Sequence, residues 1–286
     1  MGRIAYVNGL YLPHEQAMVH VEDRGYQFGD SVYEVCEINA GALIDEARHL
    51  ARLKRSLGEL RIAMPLSEAA LPFVLRQVMR RNRVKDGYVY LQVTRGVAPR
   101  EHSFPTPAVR PSLVVTARSI DPSKGAAAAE KGIAAISQPD IRWGRPDIKT
   151  TDLLPNVLAR QAAKEKGAYE AWLIDADGMV TEGAATNAWI VDHNNVIVTR
   201  HVDNGILSGV TRGTLLDLIR KEGLQVQERR FSLAEAKEAR EAFITGATTL
   251  VMPVVSLDGE PVGDGRPGPL ATRLRALFHK IAERSV

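Results

Sequence analysis

Lys149 and Glu182 are the two side chains whose types and spacing most clearly suggest chemistry. Lys149 lies in the stretch DIKTTDLLPN, and Glu182 follows thirty-three positions later in VTEGAATNAWIV. A deprotonated lysine amine can form a Schiff base with an aldehyde, and a carboxylate can face a protonated pyridine nitrogen. A lysine at a strand end and a carboxylate on the next strand but one would therefore suit an enzyme that holds pyridoxal phosphate.

Each of these residues also has a simpler explanation. Most lysines are surface residues with solvated amines, and Glu182 could be an exposed carboxylate on an edge strand. Catalysis would further require Lys149 to lose its proton, which takes burial or a neighbouring positive charge. The hypothesis therefore depends on whether other segments complete the same site.

Three further segments could bind a phosphate group. Val210 and Thr211 stand in LSGVTRGTLLDL, where a loop becomes a helix, so their N–H groups and the Thr211 hydroxyl could bind an anion or simply cap the helix. Arg52 lies off the leucine stripe of its helix and could reach a phosphate or remain solvated. The segment ITGATTLVMPV ends a strand in small and hydroxylated residues and is a weak indication of a phosphate loop.

Composition excludes several other classes of protein. The 286 residues are 45% apolar, which suffices for a substantial core, and the net charge of +3 is spread over both halves. The single cysteine and seven scattered histidines indicate neither a disulfide nor a metal site. We expect no nucleic-acid partner, no membrane span and a cytoplasmic protein.

Periodicity and turn residues predict strands and helices in both halves of the chain. Asn8-Gly9 predicts a hairpin, and the stretch 179–191 is interpreted as one strand. The predicted helices cover residues 48–62, 66–82, 155–166, 211–222 and 269–284. Apolar periodicity disappears between residues 121 and 131, so the sequence predicts an N-terminal α+β domain over 1–120, a linker over 121–131, and a C-terminal domain over 132–286 that carries the lysine.

Eight segments, taken in order, resemble the class IV, fold-type IV aminotransferases, and among them the D-amino acid branch. The segments are EDRGYQFGDSVYEV, HLARL, VTRGVAPREHSFP, DIKTTDLL, KEKGAYEA, VTEGAATNAW, ILSGVTRG and ITGATTLVMPV. The resemblance implies an α+β fold with a smaller N-terminal α/β domain and a larger C-terminal domain with a β-barrel-like core. It also implies a pyridoxal phosphate enzyme that transfers amino groups between D-amino acids and 2-oxo acids, as from D-alanine to 2-oxoglutarate.

The resemblance assigns roles to individual residues. Lys149 would be the catalytic Schiff-base lysine and Glu182 the partner of the pyridine nitrogen. The phosphate would be held by the remaining cofactor-binding residues, Arg52, Val210, Thr211, Ala247 and Thr248. Gly246 and Ala247 depart from the serine and threonine expected in this family, so the phosphate would meet backbone N–H groups there, with Thr248 as a further donor.

The resemblance also implies the substrate site and the assembly. Tyr33, Arg100 and His102 would bind the substrate α-carboxylate, with Arg100 and His102 supplied by the partner subunit of a homodimer that shares its active sites. The alternatives on the same fold are a branched-chain L-amino acid aminotransferase, an aminodeoxychorismate lyase and an (R)-amine transaminase; a non-catalytic binding protein is the alternative from another class.

Overall fold

This computed structural model describes residues 3–286. These residues form two β-sheets, each with its own helices. The first unit comprises the residues up to Asp121 together with Ile148–Asp152 and Glu283–Val286. The second unit comprises Pro122–Asp147 and Leu153–Ala282. The predicted α+β class is confirmed, because each unit pairs a sheet with helices packed on it.

The first unit is built on a seven-stranded antiparallel sheet. Its strands are β1 (Ile4–Val7), β2 (Leu10–Pro13), β3 (Ser31–Asn39), β4 (Ala42–Ile44), β5 (Gly87–Thr94), β6 (Ser112–Ser119) and the C-terminal strand Arg284–Ser285. They lie in the order C-terminal strand, β4, β3, β5, β6, β1, β2. The predicted Asn8-Gly9 hairpin is confirmed by the pairing of Val7 with Leu10.

Amphipathic helices cover this sheet. The helices of the first unit are α1 (Arg24–Phe28), α2 (Glu46–Glu59), α3 (Ala70–Arg81) and a short 3-10 helix, His14–Gln16. Leu53 and Leu57 of α2 are buried against β3, and Leu71 and Leu75 of α3 belong to the same core. The leucine spacing of three and four residues therefore identified the buried face of α2 correctly.

The second unit is built on a nine-stranded mixed sheet. Its strands are β7 (Ile133–Pro139), β8 (Glu170–Ile174), β9 (Val180–Gly183), β10 (Asn187–Val191), β11 (Ile197–Thr199), β12 (Val226–Glu228), β13 (Glu241–Gly246), β14 (Leu250–Leu257) and β15 (Glu260–Pro261). They follow the order β12, β11, β10, β13, β14, β7, β8, β9, with β15 paired to β14. The pairs β11–β12, β14–β7 and β7–β8 are parallel, and the other pairs are antiparallel.

Five helices accompany this sheet within the described residues. They are α4 (Pro122–Lys131), α5 (Leu154–Glu165), α6 (Val210–Lys221), α7 (Leu233–Lys237) and α8 (Pro269–Phe278). The segment expected to be a linker is thus helical, because four consecutive alanines favour a helix even without a wide apolar face. The last helix ends at Phe278 and not near residue 284, since the chain after it returns to pair with β4.

The strand predicted over residues 179–191 is wrong as a single element. Residues 184–186 interrupt it and separate β9 from β10. The N–H of Gly183 donates to the carbonyl of Thr186 at 2.7 Å, which closes a tight turn. The turn is stabilised by buried Glu170, whose carboxylate accepts from the Thr186 hydroxyl at 3.0 Å.

None of the helices within residues 3–286 is long and apolar enough to cross a membrane.

Candidate active site

Lys149 belongs to a short stretch that packs on strand β3 of the first unit. Its carbonyl accepts from the N–H of Tyr33 at 3.0 Å, its own N–H donates to the buried Ser56 hydroxyl at 3.3 Å, and Thr150 forms a bridge with Val32. The expectation of a strand end in the C-terminal domain is therefore wrong, because these contacts attach residues 148–152 to the first unit.

The Lys149 amine lies over the ring of Tyr33, with Nζ 4.2 Å from the ring centroid. The structure thus brings together two of the predicted site residues, one catalytic and one substrate-binding. Lys149 as a residue is partly buried, and its backbone is fixed on both sides by hydrogen bonds. A reactive lysine needs such a defined position, because a flexible surface side chain would spread over many rotamers.

Arg52 forms a buried ion pair with Glu34. The Arg52 Nε and Nη2 atoms donate to the two Glu34 oxygens at 2.7 and 2.8 Å, and His49 Nδ1 lies 2.7 Å from the same carboxylate. Although burial raises the pKa of Glu34, the Arg52 charge and the bonds from Arg52 and His49 outweigh it and hold the pKa well below its usual range. The predicted phosphate ligand Arg52 therefore has a carboxylate that fixes its orientation.

Glu34 was missed by sequence reasoning, although the sequence contained an indication of it. It lies on the buried face of β3 together with Val32, Cys36 and Ile38, at every second position of the strand. A carboxylate on an otherwise apolar strand face must have a cationic or hydrogen-bonding partner. Arg52, two turns into the next helix, was a candidate for that partner.

Arg100 and His102 are exposed on the loop that follows β5, and both lie against Phe28. The Arg100 guanidinium carbon is 5.2 Å from the Phe28 ring centroid, and the His102 ring centroid is 5.5 Å from it. The structure thus brings this predicted pair together on one aromatic ring. Their exposure leaves both side chains accessible to a carboxylate.

Glu182 is buried at the end of β9 in the second unit, where three donors surround it. Arg142 Nη1 and the Leu207 N–H donate to Oε1, the latter at 3.1 Å, and Asn187 Nδ2 donates to Oε2 at 2.9 Å. Burial raises the pKa of Glu182, and the Arg142 charge only partly offsets this. The exposed edge-strand interpretation is therefore excluded.

Arg142 was also missed by sequence reasoning. It binds Asp140 through Nε and Nη2 at 2.9 and 2.7 Å while its third nitrogen reaches Glu182. Asp140 in turn accepts from the Thr181 hydroxyl at 2.8 Å. An aspartate two residues before an arginine is too common a pattern to identify such a contact from sequence.

Val210 and Thr211 occupy the first turn of helix α6, as predicted. Gly209 precedes them at the N-cap position and provides no side chain to accept from the first N–H groups. A Cβ at Gly209 would lie 2.0 Å from Asn187 Oδ1, so only glycine allows this approach. Asn187 therefore joins the start of α6 to Glu182.

The turn after β13 carries the remaining two predicted phosphate residues, Ala247 and Thr248. Strand β13 pairs with β10, which sets Gly246 beside Thr186: a Cβ on Gly246 would lie 3.4 Å from the Thr186 methyl group. The Thr249 N–H donates to the Gly246 carbonyl at 3.2 Å and closes the turn. The Glu182 end of β9, the start of β10 and the end of β13 thus lie around Thr186.

The chain belongs to class IV of the amino-transferases, whose family model matches residues 31–257. It is similar to the D-alanine aminotransferase of Bacillus licheniformis, with 42% identity over 94% of this chain and 93% of the relative. It is 38% identical to the D-alanine aminotransferase of Staphylococcus haemolyticus over 97% of both chains.

The solved structures to which the chain is similar include branched-chain amino acid aminotransferases. The branched-chain amino acid aminotransferase of Escherichia coli has a TM-score of 0.90 and 26% identity, covering 98% of this chain and 95% of its own. A second branched-chain amino acid aminotransferase, from T.th. and solved with pyridoxamine 5′-phosphate, has a TM-score of 0.89 and 27% identity, covering 98% and 94%. The expected family and the fold-type IV architecture are confirmed.

The enzyme is a pyridoxal phosphate-dependent aminotransferase with amino acid and 2-oxo acid substrates. The residues present fit this cofactor. A helix start without a side-chain cap suits a phosphate, and a buried carboxylate whose orientation is fixed by Arg142 and Asn187 suits a protonated ring nitrogen. Both features lie in the second unit, joined through Asn187.

Proposed function

We propose that this enzyme transaminates D-amino acids, taking the amino group from donors such as D-alanine and passing it to 2-oxoglutarate to give pyruvate and D-glutamate. The observation that carries this proposal is the 42% identity over nearly the full length to a D-alanine aminotransferase, against 26–27% to the branched-chain enzymes. The Arg100–His102 pair on its exposed loop supports the same substrate class.

Arg52, Val210, Thr211, Ala247 and Thr248 would hold the cofactor phosphate. The first turn of α6 offers N–H groups and the positive end of the helix dipole. The turn at Ala247 offers backbone N–H groups and the exposed Thr248 hydroxyl. Arg52 offers a guanidinium whose Nε edge is already oriented by Glu34. Phosphate binding would thus rely more on backbone donors and less on side chains than the family pattern implies.

Lys149 and Glu182 would carry the chemistry. When bound, pyridoxal phosphate supplies an electron-withdrawing ring that stabilises negative charge at the substrate Cα. The Lys149 amine would anchor the cofactor covalently and then move the proton between Cα and the cofactor carbon that accepts it. The Glu182 carboxylate would keep the ring nitrogen protonated, and Arg142 would fix the direction in which that carboxylate points.

Tyr33, Arg100 and His102 would bind the substrate carboxylate. A guanidinium can bind a carboxylate through two parallel hydrogen bonds, and the imidazole and phenol can add one donor each. The side of the cofactor on which these donors stand decides which enantiomer can direct its Cα hydrogen toward Lys149. A carboxylate held by this set would therefore select D- over L-amino acids.

A homodimer that shares its active sites is part of the proposal. Each unit exposes large apolar side chains of the kind that subunit contacts bury. Among them are Met18, Val21 and Tyr26 in the first unit and Leu154, Val157 and Leu158 in the second. The cytoplasmic location expected from the sequence stays a prediction.

Mixing two defective variants tests the shared site. We would exchange subunits between equal amounts of Lys149→Ala and Arg100→Ala and assay the mixture at a D-alanine concentration far below the raised KM of Arg100→Ala. If Arg100 serves the neighbouring subunit, each hybrid dimer has one intact site, and about one quarter of the wild-type activity should return. If each subunit uses its own Arg100, every site in the mixture lacks one residue and the activity stays at the level of the separate variants.

Product analysis tests the reaction itself. The holoenzyme, D-alanine and 2-oxoglutarate should give pyruvate and D-glutamate in equal amounts, with glutamate chirality read by chiral chromatography. The branched-chain names of the similar structures make L-leucine the competing donor. L-glutamate as the product, or leucine as the faster donor, would contradict the proposal; pyruvate formed from aminodeoxychorismate without any acceptor would indicate a lyase.

A further inference from the structure

One aromatic ring, Phe28, contacts three cationic or titratable side chains at once. The guanidinium carbon of Arg24 is 4.7 Å from the ring centroid and that of Arg100 is 5.2 Å from it. The His102 ring centroid lies 5.5 Å away, tilted by 52° to the Phe28 ring. Phe28 ends the short helix α1, whereas Arg100 and His102 belong to a loop more than seventy residues later. The ring therefore joins two distant parts of the first unit.

Arg24 fixes the backbone of the same loop. It is 3% exposed and donates through Nη1 to the Glu101 carbonyl and through Nη2 to the His102 carbonyl, the latter at 3.4 Å. Its Nε donates to Asp30 at 2.8 Å, which sets the direction of the guanidinium. A buried arginine keeps its partners, because a buried charge without them would strongly destabilise the fold.

Asp30 also connects Arg24 to a second arginine that contacts the same loop. Both of its oxygens accept from Arg95, at 2.7 Å from Nε and 2.9 Å from Nη2. The Arg95 guanidinium in turn lies 3.6 Å from the centroid of the Phe104 ring. The loop is thus held at Glu101, His102 and Phe104 by two arginines that share one carboxylate.

We propose that Phe28 and Arg24 are positioning residues that fix the direction of the Arg100 and His102 side chains, and thereby set the affinity for the substrate carboxylate. The inference rests on the proposed function, in which Arg100 and His102 bind that carboxylate. Neither positioning residue needs to touch the substrate: Arg24 sets the loop backbone, and the Phe28 face selects the rotamers of two exposed side chains that would otherwise be mobile.

The substitution Phe28→Leu tests this. It removes the aromatic face and keeps an apolar side chain, so KM for D-alanine and for 2-oxoglutarate should rise about three- to thirty-fold, the range that a cation–π contact supports. The cofactor absorbance and kcat should change less than twofold. Phe28→Tyr keeps the ring face and should restore KM to near the wild-type value. Phe73→Leu is the matched control, because Phe73 is 60% exposed on α3.

A double-variant comparison shows whether Phe28 acts through the pair. In an Arg100→Ala background, Phe28→Leu should add much less to KM than it does alone, because one of the two side chains it orients has gone. Full additivity of the two effects would overturn the inference, as would an unchanged KM in Phe28→Leu. A rise in KM of the same size in Phe73→Leu would also overturn it.

A second variant covers the case in which Phe28→Leu does not fold. Arg24→Lys keeps a positive charge for Asp30 but lacks the planar fork of donors that spans Asp30 and the two loop carbonyls, so it should also raise KM at near-constant kcat; an unchanged KM would overturn the inference. Failure of the proposed function gives a different result: Arg100→Ala would then leave KM for D-alanine unchanged, whatever Phe28→Leu does.

Discussion

Replacing Glu34 by leucine should destabilise the first unit strongly, because it would leave the Arg52 guanidinium buried without its carboxylate. Glu34 is fully buried, and the Arg52 side chain is only 10% exposed. Removing one partner of a buried ion pair costs about 3–5 kcal/mol, and the loss of the His49 contact adds about 1 kcal/mol. Some contact of Arg52 with water favours the lower part of that range.

The expected change in melting temperature follows from the length of the chain. At about 2–4 °C per kcal/mol for a chain of this length, Glu34→Leu should lower Tm by roughly 8–24 °C. The double variant Glu34→Leu, Arg52→Met removes both charges and should recover most of this loss, because an apolar pair of similar volume is about as stable as a buried ion pair. Glu34→Gln, which keeps one acceptor oxygen but not the charge, should lie between them.

Thermal unfolding should be followed by circular dichroism with and without added cofactor. The double variant should fold like the wild type yet bind the cofactor about ten- to a hundred-fold more weakly, since it lacks a charged hydrogen-bond donor to the phosphate. A double variant that remains as unstable as Glu34→Leu would refute the ion-pair reasoning. Wild-type cofactor affinity in the stable double variant would refute the role of Arg52.

Three further predictions concern the site and its charges. Gly209→Ala should weaken cofactor binding by about tenfold or more in an absorbance titration, because a Cβ would stand 2.0 Å from Asn187 Oδ1 and distort the helix start; unchanged binding would show that the helix start is not used. Glu182→Gln should reduce kcat at least about a hundred-fold while the cofactor stays bound, since a neutral amide cannot stabilise a protonated ring nitrogen. Because Arg52 holds the pKa of Glu34 below its ordinary 4.5 despite burial, the ion pair stabilises the fold fully above pH 4.5 and progressively less as the pH falls below it. The free energy of unfolding, measured with denaturant, should therefore fall less for Glu34→Gln than for the wild type between pH 4.5 and about 3.

The regular elements could be predicted because their apolar residues repeat at the helix or strand period. Leu53 and Leu57 marked the buried face of α2, and Asn8-Gly9 marked the first hairpin. The interruption at residues 184–186 could not be predicted in this way, since it depends on Glu170, a buried carboxylate from another strand. Tertiary contacts of this kind leave no local period in the sequence.

The sequence indicated the candidate functional residues but not the residues that orient them. Lys149, Glu182 and the start of α6 could be proposed because motifs fix the order and type of such residues. Glu34 and Arg142, which orient Arg52 and Glu182, were not found, because their partners are distant in sequence. Pairing across tens of residues depends on the fold.

The most direct test of D-amino acid transamination is a single half-reaction. The holoenzyme should be mixed with D-alanine or with L-leucine, without any 2-oxo acid, and the cofactor absorbance followed in a stopped-flow instrument. We expect rapid conversion to the pyridoxamine form with D-alanine and little change with L-leucine on the same timescale. Rapid conversion by L-leucine and none by D-alanine would contradict the assignment of Arg100 and His102 and would move the enzyme to the branched-chain L-amino acid substrates.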